Sequence, residues 1–267
     1  MLRRSKPAPV ALSIAGSDTG GGAGIQADLK TFAALGVHGT TAIACLTAQN
    51  PNRVLALHPC PPGFLRRQME AVFEELPPRA VKIGMLYSTA NVRAVADFFH
   101  RFGNRSRPPL IVDPVMVSTS GTRLLHRSAE KALREKLLPL ANLAMPNLHE
   151  AEILSETLIR EPEDLRAAAR NIHARYGCAV LVKGGHLAHC QQAIDVLFDG
   201  RCEWVYSAPF VRHIRTHGTG CTYSAAVCAA VALGHKLPQA VEIGKNFVTA
   251  AIANSRRIGQ HFVLGME

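Results

Sequence analysis

Aromatic residues are scarce in this sequence, with one tryptophan and 6% Phe, Trp and Tyr together. Long apolar runs are missing too: the longest, Ala225–Leu233, falls well short of the roughly 20 residues that a membrane helix needs. No membrane span is expected. None of the seven cysteines forms a C-x-x-C pair, and their odd number argues against both a disulfide framework and a structural zinc site. Reduced thiols are the default reading. Acidic residues are outnumbered 20 to 30, giving a formal charge of +10, which raises the question of nucleic-acid binding. The basic residues are scattered, however. Their densest groups are Arg3-Arg4, Arg66-Arg67, Arg101 to Arg107 and Arg256-Arg257, and none interleaves with the aromatics of a single-strand binding platform. A solvated surface, or one that attracts anionic small molecules, is expected, with no nucleic-acid partner. Met1–Pro9 carries Arg3, Arg4 and Lys6, but the apolar run behind it, Val10–Ala15, is shorter than a signal-peptide core. The expected location is the cytoplasm.

What is present is the composition of a folded chain: 267 residues, 48% hydrophobic and 19% charged, which excludes a disordered tail protein. Short β-branched runs alternate with amphipathic stretches, the pattern of a parallel sheet covered by helices on both faces. Strands are expected at Val10–Ala15, Thr41–Leu46, Val54–His58, Ala80–Gly84, Leu110–Asp113, Leu143–Pro146, Ala179–Lys183, Ala193–Phe198 and Glu203–Ser207. Helices are expected at Gly24–Leu35, Pro62–Leu76, Ala90–Phe102, Ala129–Leu138, His149–Glu156, Glu163–Tyr176, from Gly220, and at Pro238–Arg257. Asp199-Gly200 between two strands signals a hairpin, so one edge of the sheet is expected to be antiparallel. Without repeats or linker-like tracts, a single domain over residues 1–267 is the economical reading.

Two glycine-rich loops carry the first chemical signal. Gly16-Ser17-Asp18-Thr19-Gly20-Gly21-Gly22-Ala23-Gly24 joins a strand to a helix, and its five glycines allow backbone to approach a ligand closely. Its match to G-x-G-x-x-A is weak, because the next strand ends in Thr47-Ala48-Gln49-Asn50 where a dinucleotide site wants an acid. No P-loop motif occurs anywhere. The second loop, His217-Gly218-Thr219-Gly220-Cys221-Thr222, opens a helix whose free amides attract anions. Cys221 would lie in its first turn, where the dipole lowers a thiol pKa. Asp113 and Glu150 follow strand ends, where open α/β sheets place ligands, and Lys183 follows another. Two carboxylates for Mg²⁺ and a lysine for phosphate suit phosphoryl transfer.

These residues resemble the hydroxymethylpyrimidine/phosphomethylpyrimidine kinases of thiamine biosynthesis. The likeness runs through Ala23–Phe32, Thr47-Ala48-Gln49-Asn50, Lys82–Leu86, Asp113-Pro114-Val115-Met116, Pro146–Ala151, Val182–His186 and His217–Thr222, and it covers most of the chain. It implies an α/β fold of the ribokinase-like type, a three-layer α/β/α sandwich on a mostly parallel sheet with an antiparallel edge, commonly found as a homodimer. It also implies two successive transfers from ATP, to the hydroxymethyl oxygen of the aminopyrimidine and then to the monophosphate. On that pattern Gln49 would read the pyrimidine by paired hydrogen bonds, and Gly16, Asp28, Met85 and Val115 would complete the pocket. Glu150 and Asp113 would hold Mg²⁺; Lys183, Asn147 and Thr219 would bind nucleotide; Gly218, Thr219 and Gly220 would form an anion hole beside a catalytic Cys221. A monovalent cation is a further possible ligand.

Two departures stand out. The family's Gly-His-Gly-Pro segment is missing after the last helix, where Arg256-Arg257-Ile258-Gly259-Gln260-His261-Phe262 runs instead, and the first loop reads Asp18-Thr19-Gly20-Gly21 where many members have a proline and a serine. His186, His189 and Cys190 are set aside as a loop rather than a soft metal site, and Trp204 as a packing or interface residue. The rival readings are a pyridoxal or pyridoxine kinase and a non-catalytic pyrimidine-binding module. Thr47-Ala48-Gln49-Asn50 favours the pyrimidine, and the set Asp113, Glu150, Lys183 and Gly218–Cys221 favours turnover.

Overall fold

The computed structural model describes residues 7–103, 106–116, 125, 127–185, 187, 190–211 and 217–266. Of the positions singled out above, Arg3, Arg4, Lys6, Arg105, His186 and His189 lie outside that set. In chain order the elements are β1 (Val10–Gly16), α1 (Gly24–Ala34), β2 (His38–Asn50), β3 (Arg53–Pro59), α2 (Pro62–Glu75), β4 (Ala80–Ile83), α3 (Thr89–His100) and β5 (Leu110–Val112). They continue with α4 (Arg127–Ala132), β6 (Leu143–Ala144), α5 (Leu148–Ser155), α6 (Pro162–Tyr176), β7 (Ala179–Gly184), β8 (Gln192–Phe198), β9 (Glu203–Pro209), α7 (Thr219–Ala232), α8 (Leu237–Ala253), β10 (Arg256–Ile258) and β11 (His261–Val263).

Nine strands form one sheet in the order β3-β2-β1-β4-β5-β6-β7-β8-β9. The run from β2 to β7 is parallel; β3, β8 and β9 are antiparallel to their neighbours. The hairpin at Asp199-Gly200 therefore makes the antiparallel edge as expected. The opposite edge is also a hairpin, because β2 runs on to Asn50 and turns through Pro51-Asn52 to pair Asn50 with Arg53.

Side-chain alternation along the strands divides the core into two layers. Leu12 and Ile14 of β1 join Val81 and Ile83 of β4 under α2, α3, α5 and α6. Ala11, Ala80, Ile111, Leu143, Leu181 and Leu197 face α1, α7 and α8 on the other side. Helix α7 is apolar nearly all round, as a helix buried between neighbours must be, and small residues let it pack closely. Gly244 of α8 has no room for a side chain: a Cβ would lie 2.7 Å from Val227 and 3.0 Å from the Tyr223 ring.

The C-terminal segment departs from its expected form. In place of one helix over Pro238–Arg257, α8 ends at Ala253 and Arg256–Val263 forms a two-stranded hairpin. Asn254 caps the helix, and Gly259, at φ +59°, supplies the left-handed residue of a tight turn. This hairpin stands where the family's Gly-His-Gly-Pro segment is missing, and Gly265 N beyond it donates to Ala251 O at 3.0 Å.

Candidate active site

The first strand meets β2 on one side and β4 on the other, and a crevice opens at the carboxyl ends of strands where chain direction divides in this way. The loop leaving β1 is organised by Asp18, which is 2% exposed. Its carboxylate accepts from the amides of Gly20, Gly22 and Ala23 at 2.8–3.0 Å, and His217 Nε2 lies 3.3 Å away. Burial pulls this carboxyl up, but His217, the Gln49 side chain and the loop amides outweigh it and hold it well below the usual carboxylate range. Thr19 adds stiffness to this loop. Its Oγ1 donates to Gln49 O at 2.7 Å and accepts from Gln49 N at 2.8 Å, tying the loop to the end of β2.

Beneath the loop lies a buried ion pair. Lys82 on β4 donates to both Asp28 oxygens at 2.9–3.0 Å, Ser13 on β1 donates to Asp28 at 2.5 Å, and both charged side chains are fully buried. Ser13 and Lys82 are register partners, so they share the sheet face that α1 covers. Burial alone would lower the Lys82 ammonium, but Asp28 more than offsets it and keeps the lysine charged. Asp28 thus lies under the site with both oxygens occupied rather than in an open pocket wall. Cys221, in the first turn of α7, senses this pair. The lowered thiol pKa expected at that helix start does not hold, because burial pushes the thiol up, Asp28 and Asp113 add to it, and Lys82 and the Gly24 amide only partly oppose.

A second ion pair borders the same space. Lys183 Nζ lies 2.9 Å from Asp113 Oδ1, and Ser224 of α7 donates to Asp113 Oδ2 at 3.0 Å. Asn147 forms a parallel bridge with Lys183 and caps α5 reciprocally with Glu150. Glu150 is 1% exposed; its oxygens accept from the amides of Met116 and Asn147 at 2.9 Å. Burial and Asp113 push its carboxyl up to about 7, against the opposing effects of Lys183 and the two amides. The folded protein therefore binds this proton more tightly than the unfolded chain, and between about pH 4.5 and 7 stability must fall as pH rises. That loss should reach roughly 3 kcal/mol. Urea unfolding at pH 5 and pH 7.5 checks it: Glu150→Gln should flatten the slope, and an unchanged slope contradicts the assignment.

The second glycine-rich loop closes over these groups. Gly218 sits at φ +84° at the start of α7, and a Cβ there would collide with Gly22 O of the first loop. A Cβ on Gly220 would lie 3.6 Å from Lys183 Nζ and 3.7 Å from Asp113 Oδ2. Gly16 and Met85 also meet, since a Cβ on Gly16 would be 2.6 Å from Met85 Cε. Val115 holds φ +42°, a strained conformation for a β-branched residue and one that concentrates at functional sites. Gln49, Met85 and Val115 are half-buried at strand ends.

Sequence reasoning misses Asp18, Lys82 and Ser224 as parts of this site. Only Lys82 carries a readable signal, a lysine inside the apolar run Ala80–Ile83. Asp113 and Glu150 supply two hard carboxylate donors, the set that Mg²⁺ takes together with phosphate oxygens and water. Among the described residues no group of three His, Cys, Asp or Glu gathers into an all-protein metal cage.

Helix-start amides facing a lysine and carboxylates across strand ends suit the handling of phosphate groups, and the fold and site together define a kinase of ribokinase-like architecture. That class narrows on comparison with known proteins: the chain belongs to the phosphomethylpyrimidine kinase family, which it matches over residues 18–265. It is 47% identical over 250 residues to the hydroxymethylpyrimidine/phosphomethylpyrimidine kinase of Rhizobium meliloti, covering 93% of this chain and 92% of that protein. It is 41% identical to the thiamine biosynthesis bifunctional protein ThiED of Geobacter sulfurreducens over 97% of this chain, spanning about half (53%) of that longer protein. The crystal structure of an ADP complex of Bacillus subtilis pyridoxal kinase superposes with a TM-score of 0.88 at 35% identity, covering 97% of this chain and 98% of that one.

Proposed function

We propose that the chain, acting as one kinase domain, phosphorylates 4-amino-5-hydroxymethyl-2-methylpyrimidine from ATP and then phosphorylates the monophosphate, within thiamine biosynthesis. The family match over most of the chain supports the substrate class. The observation that carries the chemistry is the contact of Lys183 with Asp113 beside Gly220. In the first step a bond forms between the hydroxymethyl oxygen and the γ-phosphorus, the bond from that phosphorus to the β–γ bridging oxygen breaks, and ADP leaves. Lys183 and Asn147 hold the nucleotide phosphates, and the amides of Gly218, Thr219 and Gly220 stabilise the charge that develops on the transferring group. Gln49 hydrogen-bonds the pyrimidine, whose pocket is bounded by Gly16, Met85 and Val115, with Asp28 supporting it from beneath through Lys82. Asp113 and Glu150 hold Mg²⁺, which when bound neutralises phosphate charge.

Acting from its minor thiolate form, since burial raises the thiol, Cys221 contacts the hydroxymethyl oxygen and receives its proton late, as a loose transition state allows. The second acceptor is a phosphate oxygen, already largely ionised at pH 7, and needs no such help. Cys221→Ala should therefore lower kcat for the alcohol by roughly 10- to 100-fold, with KM little changed and the second transfer much less affected. Equal kcat for the two proteins on the alcohol would overturn the role.

A homodimer acting in the cytoplasm completes the reading. Val54, Leu55 and Leu57 of β3, Leu46 of β2 and Phe64 of α2 are all exposed, an apolar edge that a second copy would cover. All seven cysteines are free, in keeping with a reducing compartment, and no helix among the described residues is long and apolar enough to cross a membrane. The functional test is a coupled ATP-consumption assay with the pyrimidine, its monophosphate and pyridoxal in parallel, products being identified by mass. Conversion of the pyrimidine to its diphosphate supports the proposal. Preference for pyridoxal transfers the assignment to the neighbour's chemistry, and binding without ATP consumption leaves a pyrimidine-binding module.

A further inference from the structure

Strands β7 and β8 place Lys183 directly opposite Asp195 in antiparallel register. Directly opposed residues share one sheet face with their Cβ atoms about 5 Å apart. The nearest carboxylate across the ladder from Lys183 is therefore Asp195, yet Lys183 pairs with Asp113 instead, at 2.9 Å. The reason is a second lysine. Lys245 of α8 inserts under β8 and donates to Asp195 Oδ2 at 2.7 Å and to Ala193 O at 2.9 Å. The other carboxylate oxygen, Oδ1, accepts from the Gly184 amide at 3.0 Å. Asp195 is 2% and Lys245 6% exposed, so neither charge has water as an alternative partner. Gly244 docks α8 against Val227 and Tyr223 of α7, which places the lysine on the helix face turned to the sheet.

We infer that Lys245 is a positioning residue for phosphoryl transfer: it occupies Asp195 so that Lys183, one strand away on the same face, stays turned toward Asp113 and the nucleotide phosphates. Lys183 and Lys245 meet Asp113 and Asp195 here, and two pairings are open to them. With Lys245 present, Asp195 is satisfied and Lys183 remains at Asp113 beside Gly220. With Lys245 neutral, Asp195 loses its counter-ion, at a cost that the cation directly opposite it can relieve. That cation is Lys183, whose flexible four-carbon stem lets its ammonium swing.

The inference rests on the reading of Lys183 as the phosphate-binding lysine, and the experiment separates the two. Steady-state kinetics would compare Lys183→Met, Lys245→Met, Asp195→Asn and the double variant Lys245→Met/Asp195→Asn, each with its thermal midpoint. Lys183→Met tests the underlying reading: it should raise the ATP KM roughly 10- to 100-fold, and an unchanged value removes the basis of the proposal. Given that rise, Lys245→Met should also raise the ATP KM about tenfold while leaving the pyrimidine KM within about twofold. Asp195→Asn keeps an oxygen for Gly184 but removes the competing charge; it leaves Lys245 buried without its counter-ion and should lower the melting temperature, yet its ATP KM should stay within about twofold, and the double variant should return there too. A purely structural pair would behave differently. Asp195→Asn would then raise the ATP KM as much as Lys245→Met does, with equal losses on both substrates, and that pattern overturns the inference. If Lys245→Met does not fold, the inference stands on the double variant, whose ATP KM must be close to that of the unmodified protein, and on Lys245→Arg, which retains the charge and must do the same.

Discussion

Gly220→Asp should reduce turnover by at least about 10³-fold, the loss that follows when preorganised donors for a transferring group are removed, while the protein still folds. A side chain at this position starts 3.6 Å from Lys183 Nζ and 3.7 Å from Asp113 Oδ2. An added carboxylate would capture the lysine, repel Asp113 and fill the space proposed for the phosphoryl group. The fold tolerates it because the residue lies in the first turn of α7, where the helix dipole favours an acid. Measuring kcat at saturating ATP and pyrimidine, with a thermal melt on the same sample, checks both halves. A variant within tenfold of normal activity would refute the anion-hole assignment of Gly218–Gly220.

Lys82→Met carries the largest expected loss of stability. Asp28 would lose its counter-ion in a fully buried position, with only the Ser13 hydroxyl left as partner; whether it stays charged or takes up a proton, breaking a buried pair from one side costs about 3–5 kcal/mol. For a chain of this size the melting temperature should fall by on the order of 10 °C. Lys82→Met/Asp28→Asn removes both charges and should recover most of that loss, since two neutral groups of similar volume carry no uncompensated charge. Urea or thermal unfolding of the two variants decides it: a double variant as unstable as the single one would mean that shape, rather than charge, holds this position.

The buried pairs explain why part of the site is legible in the sequence and part is not. Asp113 and Lys183 stand at the ends of strands whose β-branched runs announce them, Glu150 opens the helix that follows a third strand, and the rule that ligands gather at those ends selects all three from the sequence. Gly218–Gly220 are readable for a similar reason, as glycines opening a run of small helix-compatible residues. Asp28, by contrast, lies in a motif that marks it for attention, but its place is beneath the site because Lys82 and Ser13 reach it from neighbouring strands. Asp195 and Lys245 are 50 residues apart, and no local pattern links them. The β2–β3 edge reads in sequence as two separate strands because Pro51-Asn52 is a weaker hairpin signal than Asp199-Gly200. The last helix reads too long because helical spacing continues past Asn254, where the chain caps the helix and turns into the C-terminal hairpin.

By itself the sequence determined the alternation of strands and helices, the mostly parallel sheet, the two glycine-rich loops and the family likeness. Each of these follows from local periodicity or from residues close together in the chain. Only the tertiary structure decided which lysine pairs with which aspartate, that Asp18 organises the first loop through three amides, and that burial raises the Cys221 thiol despite its place at a helix start. These outcomes depend on distances across strands and on the exclusion of water. Both are set by how the layers pack, and neither is written in any single stretch of the chain.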